Sequence, residues 1–318
     1  MCQTQKNNLT EDDFNPVWWA LNSHIHTVIA SQLTPVKKPP CRRIEISTPD
    51  NDFLEIDICL ADGVKPIVAL FHGLEGSSDR HYITNLMSAL LEKGYSSAAL
   101  NFRGCGSRLN NQKRFYHSGE TDDYATFLKW IREQHPSKKI YAVGFSLGGN
   151  ALVKYLGETG ESSLIERAAV VSPPFDLKEG ALKLNQGINR MYEAHFLKTM
   201  VDKLEIKRSR FGTMPEYTGN SIYEFDDQVT AKLHGFDGAE DYYEKCSSKN
   251  FYKDVRKELF IIHSKKDPLC PFEYAPLGDM NENPRIHCCI TENGGHVGFL
   301  SSPRGWMIRK ITDWLTTD

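Results

Sequence analysis

The 318-residue chain is short of several things, and each shortage removes a class of function. It has no run of about 18 apolar residues, so no transmembrane helix is expected. Its first residues, MCQTQKNNLTEDDF, lack a basic stretch followed by an apolar one and do not read as a secretory leader. Excess charge is missing too, because 38 basic residues against 41 acidic ones leave a net charge of -3. That balance excludes a basic footprint for nucleic acid and a polybasic membrane patch. The cysteines at 2, 41, 59, 105, 246, 270, 288 and 289 form no CxxC, and no HExxH occurs. Scattered through a chain of this size, they are expected to be free thiols in a cytoplasmic protein. His24 and His26 have no third ligand nearby in sequence and are expected to pack rather than bind metal. No metal and no cofactor is expected.

What is present has a clear rhythm. RRIEIST and FLEIDICL (42–48, 53–60) read as paired strands around the turn PDND. PIVALFHG (66–73) is a continuous apolar run ending in glycine, which fits a strand buried on both faces. Strands and helices then alternate, with helical spacing over 77–94, 119–134 and 147–158 and strands over 95–102, 139–145 and 166–172. Such alternation predicts a parallel sheet with helices on both faces. It stops over 176–255, which is polar, aromatic and mostly helical or irregular, and resumes with ELFIIHS, IHCCIT and a final helix over 303–315. An ordered insertion of that length is expected to be a lid or cap. The expected organisation is an N-terminal segment (1–41) packing on the body, a first core part (42–175), the cap (176–255) and a second core part (256–318). Trp18 and Trp19 are expected to pack that N-terminal segment across the body. The cap aromatics Phe196, Phe211, Tyr217, Phe225, Phe236, Tyr242 and Tyr243 are expected to form its own core rather than an acyl pocket.

VGFSLGGN (143–150) sits where a strand should turn into a helix. Gly144 and Gly148 flank Ser146 in a GxSxG pattern, the sequence of a nucleophile elbow in that context. A serine hydroxyl needs a base, and the base needs an orienting acid. Asp267 follows strand ELFIIHS, and His296 follows strand IHCCIT, giving the order Ser, Asp, His at carboxyl ends of strands. Asp176, also after a strand, is a weaker candidate for the acid. His287 at a strand start and His72 before a tight turn read as structural. Acyl transfer also needs two N–H donors for a developing oxyanion. Leu147, after the serine, is one candidate, and Leu74, in the glycine-bent HGLEG loop (72–76), is the other.

HGLEGSS (72–78), NFRGC (101–105), YHSGETDD (116–123), GFSLGGN (144–150), DPLCP (267–271) and GGHVGF (294–299) together resemble the YheT-like α/β-hydrolases. NPVWWALNSHIHT (15–27) and EFDDQVTAKLHGFDGAEDYY (224–243) are similar to that family's N-terminal and cap segments. The resemblance implies an α/β-hydrolase fold: a mostly parallel central sheet flanked by helices, with a mainly helical cap inserted before the acid-bearing strand. It implies a serine carboxylesterase acting on small-molecule acyl esters of short to medium chain, with a triad at Ser146, Asp267 and His296. Some relatives are membrane-anchored and act on lipids. No such anchor is read here, so a soluble form is expected, with phospholipid substrates disfavoured. An alcohol acyltransferase or a lipid-ester hydrolase would use the same triad. A non-catalytic binding protein on the same fold would not need it.

Overall fold

The apolar run PIVALF becomes a strand, Ile67–Phe71, whose five residues are all fully buried. Ile67, Ala69 and Phe71 join one apolar cluster, while Val68 and Leu70 join another on the opposite face. That split follows from the two-residue period of a strand covered on both sides. The computed structural model describes residues 13–20, 22–33 and 39–317.

Among the described residues, eight strands form one sheet: β1 (Arg42–Ser47), β2 (Phe53–Cys59), β3 (Ile67–Phe71), β4 (Ser96–Asn101), β5 (Ile140–Phe145), β6 (Ile165–Val171), β7 (Glu258–Ser264) and β8 (Ile286–Thr291). Their spatial order is β1-β2-β4-β3-β5-β6-β7-β8. The pairs β1–β2 and β2–β4 are antiparallel, and all others are parallel. Helix α1 spans Ser23–Leu33 near the N-terminus. On one face of the sheet lie α2 (His81–Glu92) and α11 (Trp306–Thr316). The other carries α3 (Asp122–Gln134), α4 (Leu147–Thr159) and α10 (Leu277–Glu282). This is the mostly parallel, helix-flanked sheet that the alternation predicts. The chain steps from β3 out to β4 and then back past β3 to β5. A crevice opens at the carboxyl ends of strands at such a reversal.

Between β6 and β7 the described residues form no strand. They form α5 (Leu177–Leu184), α6 (Arg190–Phe211), α7 (Ile222–Phe225), α8 (Ala231–His234) and α9 (Ala239–Cys246). These helices share a third apolar cluster that includes Leu197, Leu204, Ile222, Phe225 and Tyr242. No helix among the described residues is long and apolar enough to cross a membrane.

Two expectations are corrected. Trp18 is 87% exposed and Trp19 37% exposed, so neither is buried against the body. Phe14 anchors the N-terminal segment instead, with its ring 5.6 Å from Phe299 and 4.9 Å from Trp306. The free-thiol expectation also fails for one pair, because Cys41 and Cys59 form a disulfide. The hairpin register explains it: Arg42 pairs with Ile58, which places Cys41 opposite Cys59 with Cα atoms 4.4 Å apart. Among the described residues, Cys105, Cys246, Cys270, Cys288 and Cys289 are in no disulfide.

Candidate active site

Ser146 is the single residue between β5 and α4, and its backbone has φ 53° and ψ -123°. A non-glycine residue there carries strain of about 1–3 kcal/mol, which persists only where the surroundings impose it. The Ser146 N–H donates to the Val171 carbonyl at 2.8 Å, and its own carbonyl accepts from Gly149 at 2.8 Å and Asn150 at 3.0 Å. The flanking glycines are required by close approach. A Cβ on Gly144 would lie 2.6 Å from the Gly148 carbonyl oxygen, and one on Gly148 would meet the carbonyls of His72 and Phe71. The serine thus stands at the N-terminus of α4, where unpaired N–H groups and the helix dipole favour negative charge.

The acid and base candidates arrive from the ends of β7 and β8. His296 Nε2 lies 2.7 Å from Ser146 Oγ, and His296 Nδ1 lies 3.0 Å from Asp267 Oδ2. The structure therefore brings all three sequence-predicted residues into one hydrogen-bonded chain. The Asp267 side chain is fully buried, and its Oδ1 accepts from the amides of Leu269 and Cys270 at 2.9 Å each. Burial alone would raise its carboxyl, but the neighbouring His296, then His263 and the Cys270 amide, outweigh that and hold it below its ordinary value. An ionised aspartate on Nδ1 leaves Nε2 as the acceptor for the serine proton.

The loop after β3 closes the other side. His72 is fully buried, and burial pushes its imidazole down to about 3. Neutral, it accepts from the Phe102 N–H at 3.1 Å through Nε2 and donates from Nδ1 to the Gly73 carbonyl at 2.7 Å. The Gly73 N–H donates to Tyr82 Oη at 3.2 Å, and the Glu75 N–H to Tyr116 Oη at 2.8 Å. Leu74 lies between these two anchored amides, and both Leu74 and Leu147 line the same cavity as Ser146. A Cβ on Gly73 would sit 3.1 Å from that of Ser146, so the loop and the serine are in close contact.

That cavity encloses about 640 Å³ between the strand ends and the inserted helices. Its wall is mainly apolar, with Leu177, Leu184, Phe196, Met200, Ile222 and Phe225 prominent. Phe196, Phe225, Tyr242 and Tyr243 both line it and belong to or pack against the inserted helices' own cluster. For these four, core and pocket wall are the same surface.

A family model described as alpha/beta hydrolase fold matches residues 66–303. The chain belongs to the α/β hydrolase family. It is 34% identical over 322 aligned positions to "Putative esterase YheT" of Escherichia coli strain K12, covering 96% of this chain and 93% of that one. This supports the YheT-like resemblance carried by the motifs. A second relative, "Medium-chain fatty acid ethyl ester synthase/esterase 2" of Saccharomyces cerevisiae, is 28% identical over 79% of this chain and 62% of that one. Among solved structures, the Pyrococcus furiosus esterase Pf2001 shares the fold with a TM-score of 0.58 at 21% identity, over 86% of this chain and 91% of that one.

The remaining candidates of this α/β hydrolase have other work. Asp176 caps α5, accepting from the Glu179 N–H at 3.2 Å, and pairs with Lys249. His287 meets Glu258 at 2.9 Å. His24 meets Tyr192 at 3.2 Å, and His26 accepts from the Leu300 N–H at 3.1 Å, so the two do not share a site. Two groups of described residues bring metal-capable atoms within 4.8 Å of one another: Asp267, Cys270 and His296, and His117, Glu120 and His234. In the first, the carboxylate and imidazole are spent on each other and on Ser146. In the second, Arg114 holds Glu120 at 2.7 Å and the Gly119 N–H occupies His117 Nδ1 at 3.2 Å.

Sequence reasoning missed Thr27, whose Oγ1 accepts from the His296 N–H at 2.9 Å across 269 residues. It also missed Tyr82 and Tyr116, which hold the loop around Leu74. Thr27 and Tyr116 fall inside the motif segments 15–27 and 116–123, but nothing local assigns them, or Tyr82, these contacts.

Proposed function

We propose that this α/β hydrolase is a serine carboxylesterase acting on acyl esters of short to medium chain. The observation that carries the reading is the Ser146–His296–Asp267 chain, with links of 2.7 and 3.0 Å, opening on an apolar cavity of about 640 Å³. Ser146 Oγ attacks the ester carbonyl while His296 Nε2 takes its proton. The carbonyl π pair moves onto oxygen, where the Leu74 and Leu147 N–H groups receive the negative charge. Collapse expels the alkoxide, which His296 protonates, and leaves an acyl-serine. Water, activated by the same imidazole, releases the acid and restores Ser146. Asp267 orients the imidazole and favours its charged form.

Residues 176–255 act in this reading as the cap that selects the acyl chain. A mainly apolar wall suits an alkyl chain, each buried methylene being worth about 0.8 kcal/mol. Transfer of the acyl group to an alcohol instead of water is the second reading. The ester synthase/esterase name of the yeast relative favours it, and it uses the same residues.

The test is hydrolysis of p-nitrophenyl esters from acetate to palmitate, with Ser146→Ala as control and ethanol added in a parallel series. Serine-dependent turnover with a preferred chain length is expected. Turnover that survives Ser146→Ala would refute the reading. Ester exchange with ethanol outpacing hydrolysis would replace it with the second.

A further inference from the structure

Among the charged cavity-wall residues that the mechanism above does not use are Glu75 and Lys203. Glu75 directly follows Leu74, and its φ of 50° is a left-handed conformation that a side-chain-bearing residue adopts only under constraint. Four contacts supply the constraint. Its N–H donates to Tyr116 Oη at 2.8 Å, and its carbonyl accepts from Arg80 at 2.9 Å. Tyr116 Oη donates back to Oε1 at 2.9 Å, and Lys203 Nζ holds Oε2 at 2.7 Å. Tyr116, Arg80 and Glu75 all belong to the body. Lys203 alone of these partners comes from the inserted helices, on α6.

The pair is well shielded, with side-chain exposures of 4% for Glu75 and 18% for Lys203. Removing Lys203 would leave the buried Glu75 carboxylate with only the neutral Tyr116 hydroxyl as a side-chain partner, so the contact holds strongly when formed. Lys203 Nζ also donates to Cys105 Sγ at 3.4 Å, another body residue. One turn further along α6, Lys207 Nζ donates to the carbonyls of Gln112 and Arg114 at 2.7 Å each and to Asn110 Oδ1 at 2.7 Å. Two ammonium groups four residues apart thus point from α6 into the body. The first is tied to the residue beside Leu74.

We propose that the Glu75–Lys203 pair is a strap through which the docked cap fixes the peptide at Leu74, so that the oxyanion site is complete only when α6 is seated. Both are positioning residues, because neither touches the reacting atoms. The inference rests on the reading of Leu74 N–H as an oxyanion donor. The Tyr82 contact at Gly73 holds Leu74 from one side, and the strained, four-point-held Glu75 holds it from the other. Without Lys203 the carboxylate has Tyr116 alone, and nothing from the cap opposes relaxation of Glu75. The Leu74 N–H then leaves its aim. A misdirected donor should weaken the transition state and spare the ground state.

The test uses Glu75→Gln, Lys203→Met, the double variant and Lys203→Arg, each normalised to serine titrated to completion with a fluorophosphonate. Two quantities are read: steady-state ester hydrolysis, and inhibition by a trifluoromethyl ketone carrying the same acyl chain. Ser146 Oγ adds to that ketone, its proton passes to His296, and the carbonyl oxygen becomes a hemiketal oxyanion that reports on the donors directly. Each single variant is expected to weaken ketone binding and lower kcat by about 10- to 100-fold, with KM changed by less than about threefold. The double variant should cost no more than the worse single, as two residues acting as a unit do. Lys203→Arg should stay within about threefold of wild type, since it keeps the charge. A rise in KM alone, unchanged ketone binding, or losses that add in the double variant would overturn the strap. Should Lys203→Met fail to fold, Glu75→Gln, which preserves size, decides the matter by the same criteria. Wild-type protein that neither hydrolyses the ester nor binds the ketone would sink the serine reading itself. Wild type that does both while the variants match it would sink the strap alone.

Discussion

In the body, Ser146, Asp267 and His296 stand within a few residues of the ends of β5, β7 and β8. In the inserted helices, Glu193 and Lys207 are buried along α6 and Lys203 is half-buried, and all three are bonded to distant parts of the chain. The first group is aimed by the direction of its own strand and the turn that follows. The second is aimed only when two separately built pieces dock. Chemistry at strand ends should therefore tolerate damage to the inserted helices, except through the contact at Glu75. Selectivity and stability of those helices should not.

The largest effect is expected at Asp267, where only chemistry should suffer. Asp267→Asn should lower kcat by about 10⁴-fold while the melting transition shows a folded protein, because the imidazole loses its tautomer and its counter-charge. A loss below about tenfold would show that orientation by the strand end is not what activates His296.

Phe225→Ala probes the other region. The side chain is 3% exposed and belongs to both the inserted cluster and the cavity wall. Its removal should cost about 3–5 kcal/mol in denaturant unfolding and move the preferred ester towards longer chains. Acetate hydrolysis, which needs little of the cavity, should change least. Equal losses on acetate and on long esters would erase the distinction between the two regions.

A smaller effect separates them by pH. Burial pushes the Asp226 carboxyl up to about 6 from 3.8, against the lowering effect of the Thr230 and Tyr243 hydrogen bonds. For an acid raised in this way the folded state favours the proton. Its contribution is full below about pH 4 and is lost as pH rises through about 6, by about 3 kcal/mol in all. Asp226→Asn should therefore raise the melting midpoint relative to wild type at about pH 8 and not at about pH 4. An offset that is the same at both values would assign the substitution a packing effect only.

The same division explains what could be read from the chain. Strand β3 and the elbow at Ser146 were legible because a continuous apolar run, a glycine pair and one serine carry their own geometry. The choice of Asp267 over Asp176 has a local signal as well. Asp176-Leu177-Lys178-Glu179 has the spacing of a capping box, and the structure uses Asp176 as that cap. The Cys41–Cys59 bridge was missed, although the strands paired around the PDND turn bring the two cysteines opposite each other in the register that the structure shows. Trp18 misled because its aromatic ring suggests burial, whereas the backbone turn at 18–19 leaves it in solvent. Thr27, Tyr82, Tyr116 and Lys203 were illegible for a different reason. Each acts on a residue of another element, and no periodicity along the chain records such a meeting.

The central claim, that Ser146 is the nucleophile, is tested most directly by a fluorophosphonate probe followed by mass mapping of the modified peptide alongside ester hydrolysis. The account predicts a single adduct on Ser146 and activity that falls in proportion to the labelled fraction. An adduct elsewhere, or hydrolysis that survives complete labelling of Ser146, would contradict it.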